Sequence, residues 1–175
     1  MTTPAQELHG LLGDVIQICL VARDLQETME RMVKLGIGPW ALESLGPANV
    51  TGARYRGEDH SFTCRRAYTP SGNLMWEIVE PVDGTSIFHD FLERRGEGVH
   101  HLGFSIPAGT YQATVEEFAR RGFALVQSGR VWDGRLGYAF VSVGPEEPFY
   151  FEIWDRPVDF QAPASESWYP TAPAV

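Results

Sequence analysis

Twice along its 175 residues the sequence runs through one order: an apolar strand interrupted by a polar residue, an amphipathic helix closed by glycine, and further strands. Two units of a repeat must close on each other or on a partner to bury their faces, and a curved sheet around a central cleft does so.

The first unit opens with residues 14–21, where Val15, Gln17, Cys19 and Val21 share one face and Ile16, Ile18 and Leu20 the other. Asp24 fits the N-cap of a helix reaching about Leu35, stopped by Gly36 and Gly38-Pro39. Weak strands are expected near 50–56 and 61–68, and a firm one at 74–79 after the turn Pro70-Ser71-Gly72-Asn73. In the latter, Met75, Glu77 and Val79 face one way and Leu74, Trp76 and Ile78 the other. A linker helix over 86–95 turns Ile87, Phe88, Phe91 and Leu92 inward.

Gly96 and Gly98 release that helix into the strand 99–106, which opens the second unit; strand alternation places His100 and His101 on opposite faces. A helix over 110–121 and strands near 124–131, 137–143 and 149–154 complete it, with turns at Asp133-Gly134 and over 144–148. Tyr150, Glu152 and Trp154 share a face. The expected fold is therefore α+β: a βαβββ module over 14–80, a helical linker over 81–97 and a second βαβββ module over 98–155, forming a curved, cleft-bearing mixed sheet. Residues 1–13 read as a loose or helical lead-in, and 156–175 as an irregular tail pinned by Trp168 and Tyr169.

Composition narrows the function. A net charge of -9 with scattered basic residues argues against nucleic acid as a partner. Cys19 and Cys64 are too few and too far apart for a zinc knuckle or a disulfide framework and read as core thiols. No run approaches the ~20 apolar residues of a membrane span, and the first residues lack a secretory pattern, so a cytoplasmic protein without a membrane partner is expected.

Gln17 and Glu77 stand on the first and last strands of unit one, His101 and Glu152 on those of unit two. Each is the odd polar side chain in an apolar run. Burying two carboxylates without partners costs several kcal/mol apiece, so a positive group should meet them. Arg54, Arg56, Arg65 and Arg66 are possible partners whose facing the sequence leaves open. One divalent cation held by an imidazole, an amide oxygen and two carboxylates satisfies all four; a solvated polar sheet face is the rival.

At these residues the sequence resembles the vicinal oxygen chelate superfamily, the fold of glyoxalase I, methylmalonyl-CoA epimerase, extradiol dioxygenases and bleomycin-resistance proteins. The resemblance covers about 14–155. It is most specific from Trp76-Glu77 to Pro81, through Phe88 to Gly96, to Gly98-Val99-His100-His101-Leu102-Gly103, which resembles the epimerase pattern. It implies metal ligands Gln17, Glu77, His101 and Glu152, a set similar to that of zinc-type glyoxalase I, with His100 structural. Epimerases usually carry a histidine where Gln17 stands, and the arginines with which glyoxalase I grips glutathione are replaced by Val21 and Glu97.

The resemblance implies a metal-dependent epimerase or isomerase that removes a proton alpha to a carbonyl, the ion holding the enolate charge. Glu152 is then the base and Glu77 the proton donor on the other face. The alternatives are a glyoxalase-type lyase or a non-catalytic small-molecule binding protein of the same fold. The ion is one of Zn, Co, Ni, Mn or Mg, and the assembly a homodimer. No carboxylate among Phe62, Thr63 and Cys64 matches the epimerases' further base, for which Asp59 or His60 would have to move in. Trp76, Tyr138, Phe140, Tyr150 and Trp154 are candidate walls for the substrate, a carbonyl compound such as a thioester or an aromatic ketone.

Overall fold

The computed structural model describes residues 11–144, 147 and 149–173. The expected lead-in lies outside the described residues up to position 10, as do positions 145, 146 and 148 of the expected turn. Eleven strands among the described residues form one curved, unclosed mixed sheet. They are β1 Val15–Val21, β2 Trp40–Leu45, β3 Val50–Tyr55, β4 Glu58–Asp59, β5 Phe62–Ser71, β6 Leu74–Gly84, β7 Gly98–Phe104, β8 Leu125–Val131, β9 Leu136–Ser142, β10 Tyr150–Asp155 and β11 Ser167–Tyr169. Three helices accompany them: α1 Leu25–Lys34, α2 Ile87–Arg95 and α3 Tyr111–Arg120.

The sheet order is β11-β2-β5-β6-β1-β7-β10-β9-β8-β3-β4. β1 pairs in parallel with β6, and β7 in parallel with β10; an antiparallel β1–β7 pair joins the halves. The halves are related position by position. Cys19 pairs with Glu77 and Gly103 with Glu152, so Gln17 and His101, each two residues earlier, occupy equivalent places.

Helix ends follow the local sequence. Asp24 accepts from the Glu27 N–H at 2.8 Å, and Ser86 from the His89 N–H at 3.3 Å, each satisfying a donor the first turn leaves open. Gly96 closes α2 at φ 78°, a left-handed conformation in which a Cβ is strained. Helices α1 and α3 cover one side of the sheet's two halves, with Leu25 and Met29 packed against Trp40, Ala67 and Ile78, and Phe118 against Ala139, Val141 and Ile153. The opposite face holds the largest core cluster, which takes in Ile87, Phe88 and Phe91 of α2.

Three strand features depart from the expectations. β2 has no counterpart among the expected strands, because Glu43 on its inward face conceals the alternation of Ala41 and Leu45. The β3–β4 hairpin, expected to stay within the first half, crosses to pair with the outer strand β8 of the second. The C-terminal segment contains a short strand, β11, which pairs Trp168 with Ala41 and covers the edge of β2. Both additions occupy open backbone edges that would otherwise template aggregation.

Candidate metal centre

Gln17, Glu77, His101 and Glu152 converge on the inner face. The Gln17 Nε2 lies 2.6 Å from the Glu77 Oε2 and 3.3 Å from the His101 Nε2. His101 Nε2 lies 3.5 Å from the Glu77 Oε2 and 3.2 Å from the Glu152 Oε2. All four residues are buried.

Two β-bulges aim this cluster. In the β1–β7 pair, Ile16 is the extra residue before Gln17 and His100 the extra residue before His101, so the irregularity recurs at equivalent places in the two halves. The second bulge corrects the expectation that the histidines face opposite ways. Both rings pack against Phe88 and Phe140, and their own centroids are 5.2 Å apart. The Nδ1 atoms are 2.9 Å apart, while His100 Nε2 lies 3.3 Å from the Ile87 carbonyl oxygen. That carbonyl can only accept, so His100 carries its proton on Nε2 and its Nδ1 accepts from His101 Nδ1–H. The remaining His101 nitrogen, Nε2, is thereby turned toward the carboxylates. His100 is thus the orienting neighbour of His101.

Charge decides the protonation states. Burial alone would lower His101, but the Glu152 and Glu77 carboxylates lift it to about 9. Burial and then the nearby His101 charge hold His100 well below the usual imidazole range. Burial favours a neutral Glu77, yet its bond to His101 and the Arg66 charge outweigh that and keep it below the ordinary carboxylate range. Of the arginines left open by the sequence, Arg66 is the one that reaches the cluster, its Nη1 3.2 Å from the Glu77 Oε1. Arg54 pairs with Asp59, Arg56 with Glu147 and Arg65 with Glu80. Arg66 grips the carboxylate oxygen turned away from His101 and leaves Oε2 directed inward.

Cys19, read from the sequence as an inert core thiol, joins the cluster: its Sγ and donor atoms of Glu77 and His101 all lie within 4.8 Å of one another. Its place on the Gln17 face was the available signal. Burial, reinforced by Glu77, pushes its thiol well above its ordinary value, so without a metal it is protonated.

A cavity of about 200 Å³ adjoins the cluster, with Glu77, Glu152, Arg66, Gln127, Tyr138 and Trp154 among its walls. Trp76 and Tyr150, two expected walls, are not among them. Trp76 packs on the opposite side of the sheet with the α1 cluster, and Tyr150 sits behind His100 with its hydroxyl donating to Glu147. Asp59 is exposed and paired with Arg54, and His60 stacks on Phe62.

Gly103 lies directly beside Gln17, where a Cβ would come within 2.8 Å of the Gln17 Cβ. Gly103→Ala is therefore expected to cost about 1–3 kcal/mol and to push Gln17 out of the cluster, as read by thermal melts and metal titration.

Residues 16–141 match the glyoxalase/bleomycin resistance protein/dioxygenase superfamily. A hypothetical protein from Bacillus halodurans C-125 is similar in structure, with a TM-score of 0.63, 17% identity and coverage of 85% of this chain and 98% of that one. Methylmalonyl-CoA epimerase from Mycobacterium tuberculosis gives 0.61, 18%, 90% and 93%. A methylmalonyl-CoA epimerase in complex with methylmalonyl-CoA and NH4+ gives 0.55, 19%, 87% and 99%. At these identities the likeness is one of fold. An uncharacterized protein of Bacillus subtilis (strain 168), YqjC, is 40% identical over 38 residues, 22% of this chain and 27% of that protein's length.

Proposed function

The chain belongs to the glyoxalase/bleomycin resistance protein/dioxygenase superfamily, and from that premise we propose that it is a divalent-metal-dependent enzyme that removes a proton alpha to a carbonyl. The observation that carries this reading is the electrostatic imbalance of the cluster. Glu43, Glu77 and Glu152 are buried with a single guanidinium, Arg66, among them. Their formal sum is three negative charges against one positive; the His101 proton supplies one of the two charges missing, whereas one divalent cation beside neutral His101 brings the sum to zero.

The donor set fits such an ion. Gln17 Oε1 is buried without a hydrogen-bond partner among the described residues, which strands a polar atom unless something binds it, and Glu152 Oε2 is met by His101 Nε2 at 3.2 Å. Rotating the Gln17 carboxamide by half a turn presents Oε1 where Nε2 now lies, beside Glu77 Oε2 and His101 Nε2. Gln17, Glu77, His101 and Glu152 would hold the ion, with Cys19 adjacent; Zn, Co, Ni, Mn and Mg all remain candidates. When bound, it supplies Lewis-acid stabilisation of negative charge developing on substrate oxygens.

The two carboxylates differ in freedom. Glu77 is held by Arg66 on one oxygen and keeps the other directed into the cluster, which suits a fixed ligand. Glu152 is paired with His101 and with no arginine among the described residues, and it lines the cavity, which suits the base that accepts the substrate proton. One such carboxylate favours an isomerase or lyase that returns the proton through the same residue over an epimerase working with two. The substrate is a small carbonyl compound. The neighbouring methylmalonyl-CoA epimerases support a thioester, and the walls Phe62, Phe88 and Phe140 support an aromatic ketone.

Metal analysis and deuterium exchange test the proposal. Protein loaded with each of the five metals is incubated in heavy water with a 2-methylmalonyl thioester and with an aromatic α-hydroxy ketone. Near-stoichiometric metal and deuterium wash-in to one compound are expected, with wash-in reduced at least about 100-fold in Glu152→Gln. Failure of every metal to bind stoichiometrically overturns the reading. A homodimer belongs to the same proposal and is checked by light scattering. No helix among the described residues is long and apolar enough to cross a membrane.

A further inference from the structure

We infer that Gln127 is the specificity-determining donor of the cavity, and that the site takes a flat, ring-sized carbonyl compound bearing a second oxygen acceptor at the end remote from the metal cluster. The inference rests on the preceding reading for its chelating end and adds the chemistry of the opposite one.

Gln127 is 1% exposed and lies on β8 just beyond a third bulge, where Val126 is the extra residue between the Leu125–Val141 and Gln127–Phe140 pairs. Its Oε1 accepts the N–H of Ile87 at 3.0 Å, one of the donors that the first turn of α2 cannot satisfy within the helix. Only the oxygen can face that N–H, so the carboxamide orientation is settled. The Nε2 is left buried with no hydrogen-bond partner among the described residues, and Gln127 is a wall of the cavity. An unmet buried donor is costly, and an acceptor oxygen on a ligand recovers that cost. The Tyr138 hydroxyl, on the same cavity, is likewise without a partner among the described residues.

Strand register supplies the span. Glu152 pairs with Phe140, and Phe140 pairs with Gln127, so the three stand in one transverse row over β10, β9 and β8. Two strand spacings separate the Glu152 and Gln127 backbones by about 10 Å. Phe140 lies between them, its ring centroid 4.9 Å from that of His101, and Phe62, Phe88, Val131 and Leu136 add apolar wall. The result is a polar pole at each end of a cavity walled between them largely by aromatic rings. It selects a molecule with oxygens at both ends of one ring over an aliphatic chain of the same length.

The test uses 1,4-diacetylbenzene and 4-isopropenylacetophenone, which share a shape but differ by one acceptor, titrated by calorimetry into protein supplied with each of the five divalent metals. The diketone is expected to bind about 10-fold more tightly, and the Gln127 side-chain amide resonance to shift on its addition. In Gln127→Glu, which keeps an acceptor for Ile87 N–H but replaces the amide donors, the preference should fall below twofold. Gln127→Met, checked for folding by its melting curve, should behave alike. A preference retained in both variants overturns the inference, as does failure of either compound to bind the parent protein. Metal content is measured in parallel. Absent metal with an intact preference sinks only the proton-abstraction reading, and a lost inference with stoichiometric metal leaves that reading standing.

Discussion

Replacing Arg66 with methionine is expected to destabilise the fold by about 3–5 kcal/mol, because it strands the buried Glu43 carboxylate and takes from Glu77 one of the two cations that meet it. Arg66 Nε donates to Glu43 Oε1 at 2.6 Å, a second contact joins its Nη2 to the same carboxylate, and its Nη1 reaches Glu77 Oε1 at 3.2 Å. Its guanidinium also lies 5.2 Å from the Trp132 ring centroid and 5.5 Å from that of Tyr68. With methionine, Glu43 would keep the Trp132 Nε1–H at 2.9 Å but lose its cation, and Glu77 would keep only His101, whose Nε2 is 3.5 Å from its Oε2. For a chain of this length the loss corresponds to a melting temperature lower by on the order of 10 °C. Lysine preserves the charge but not the planar fork, so Arg66→Lys should fall between the two. A methionine variant within 1 kcal/mol of the parent, by denaturant titration, would show that the buried charges do not depend on Arg66.

What the sequence disclosed and what it withheld divide along a physical line. Pattern at period two or 3.6 reports which residues share a face, and it located Gln17, Glu77 and Glu152 as odd polar residues on inner faces, while local residue type located the cap Asp24. It is blind to an extra residue in a ladder. The bulge at His100 reverses the facing of that side chain without leaving a mark in the alternation, so nothing in the sequence pattern signals that the histidine rings pair. Non-local partners were equally hidden. Arg66 and Glu43 lie on separate strands, and each taken alone resembles a solvated residue. Trp76 had an outward-facing position by strict alternation with Ile78, and its aromatic character was a poorer guide than its parity. Cys19 had the right parity, but a thiol in an apolar run carries no sign of its neighbours.

Metal binding should strengthen by about tenfold for each pH unit up to about pH 9 and then level off, because His101 must lose a proton to offer its Nε2. In metal-free protein that proton sits between two carboxylates and stabilises the fold. The folded-state value of about 9 is raised above the ordinary 6.5, so the contribution is complete below pH 6.5 and disappears as pH climbs through 9. The difference is on the order of 3 kcal/mol. A divalent cation replaces the proton's role, so the melting temperatures with and without metal should diverge across this window. Calorimetry at pH 7 in two buffers of different ionisation enthalpy should show about one proton released per metal bound. In His101→Ala, affinity should fall by at least about 1,000-fold, the site having lost its imidazole ligand. In His100→Ala the loss should be about 10–100-fold, since the ligand remains but its ring is no longer oriented through Nδ1. Metal uptake that releases no proton at pH 7 would mean that His101 is already neutral there, and the charge balance assigned to the buried carboxylates would have to be met by another group.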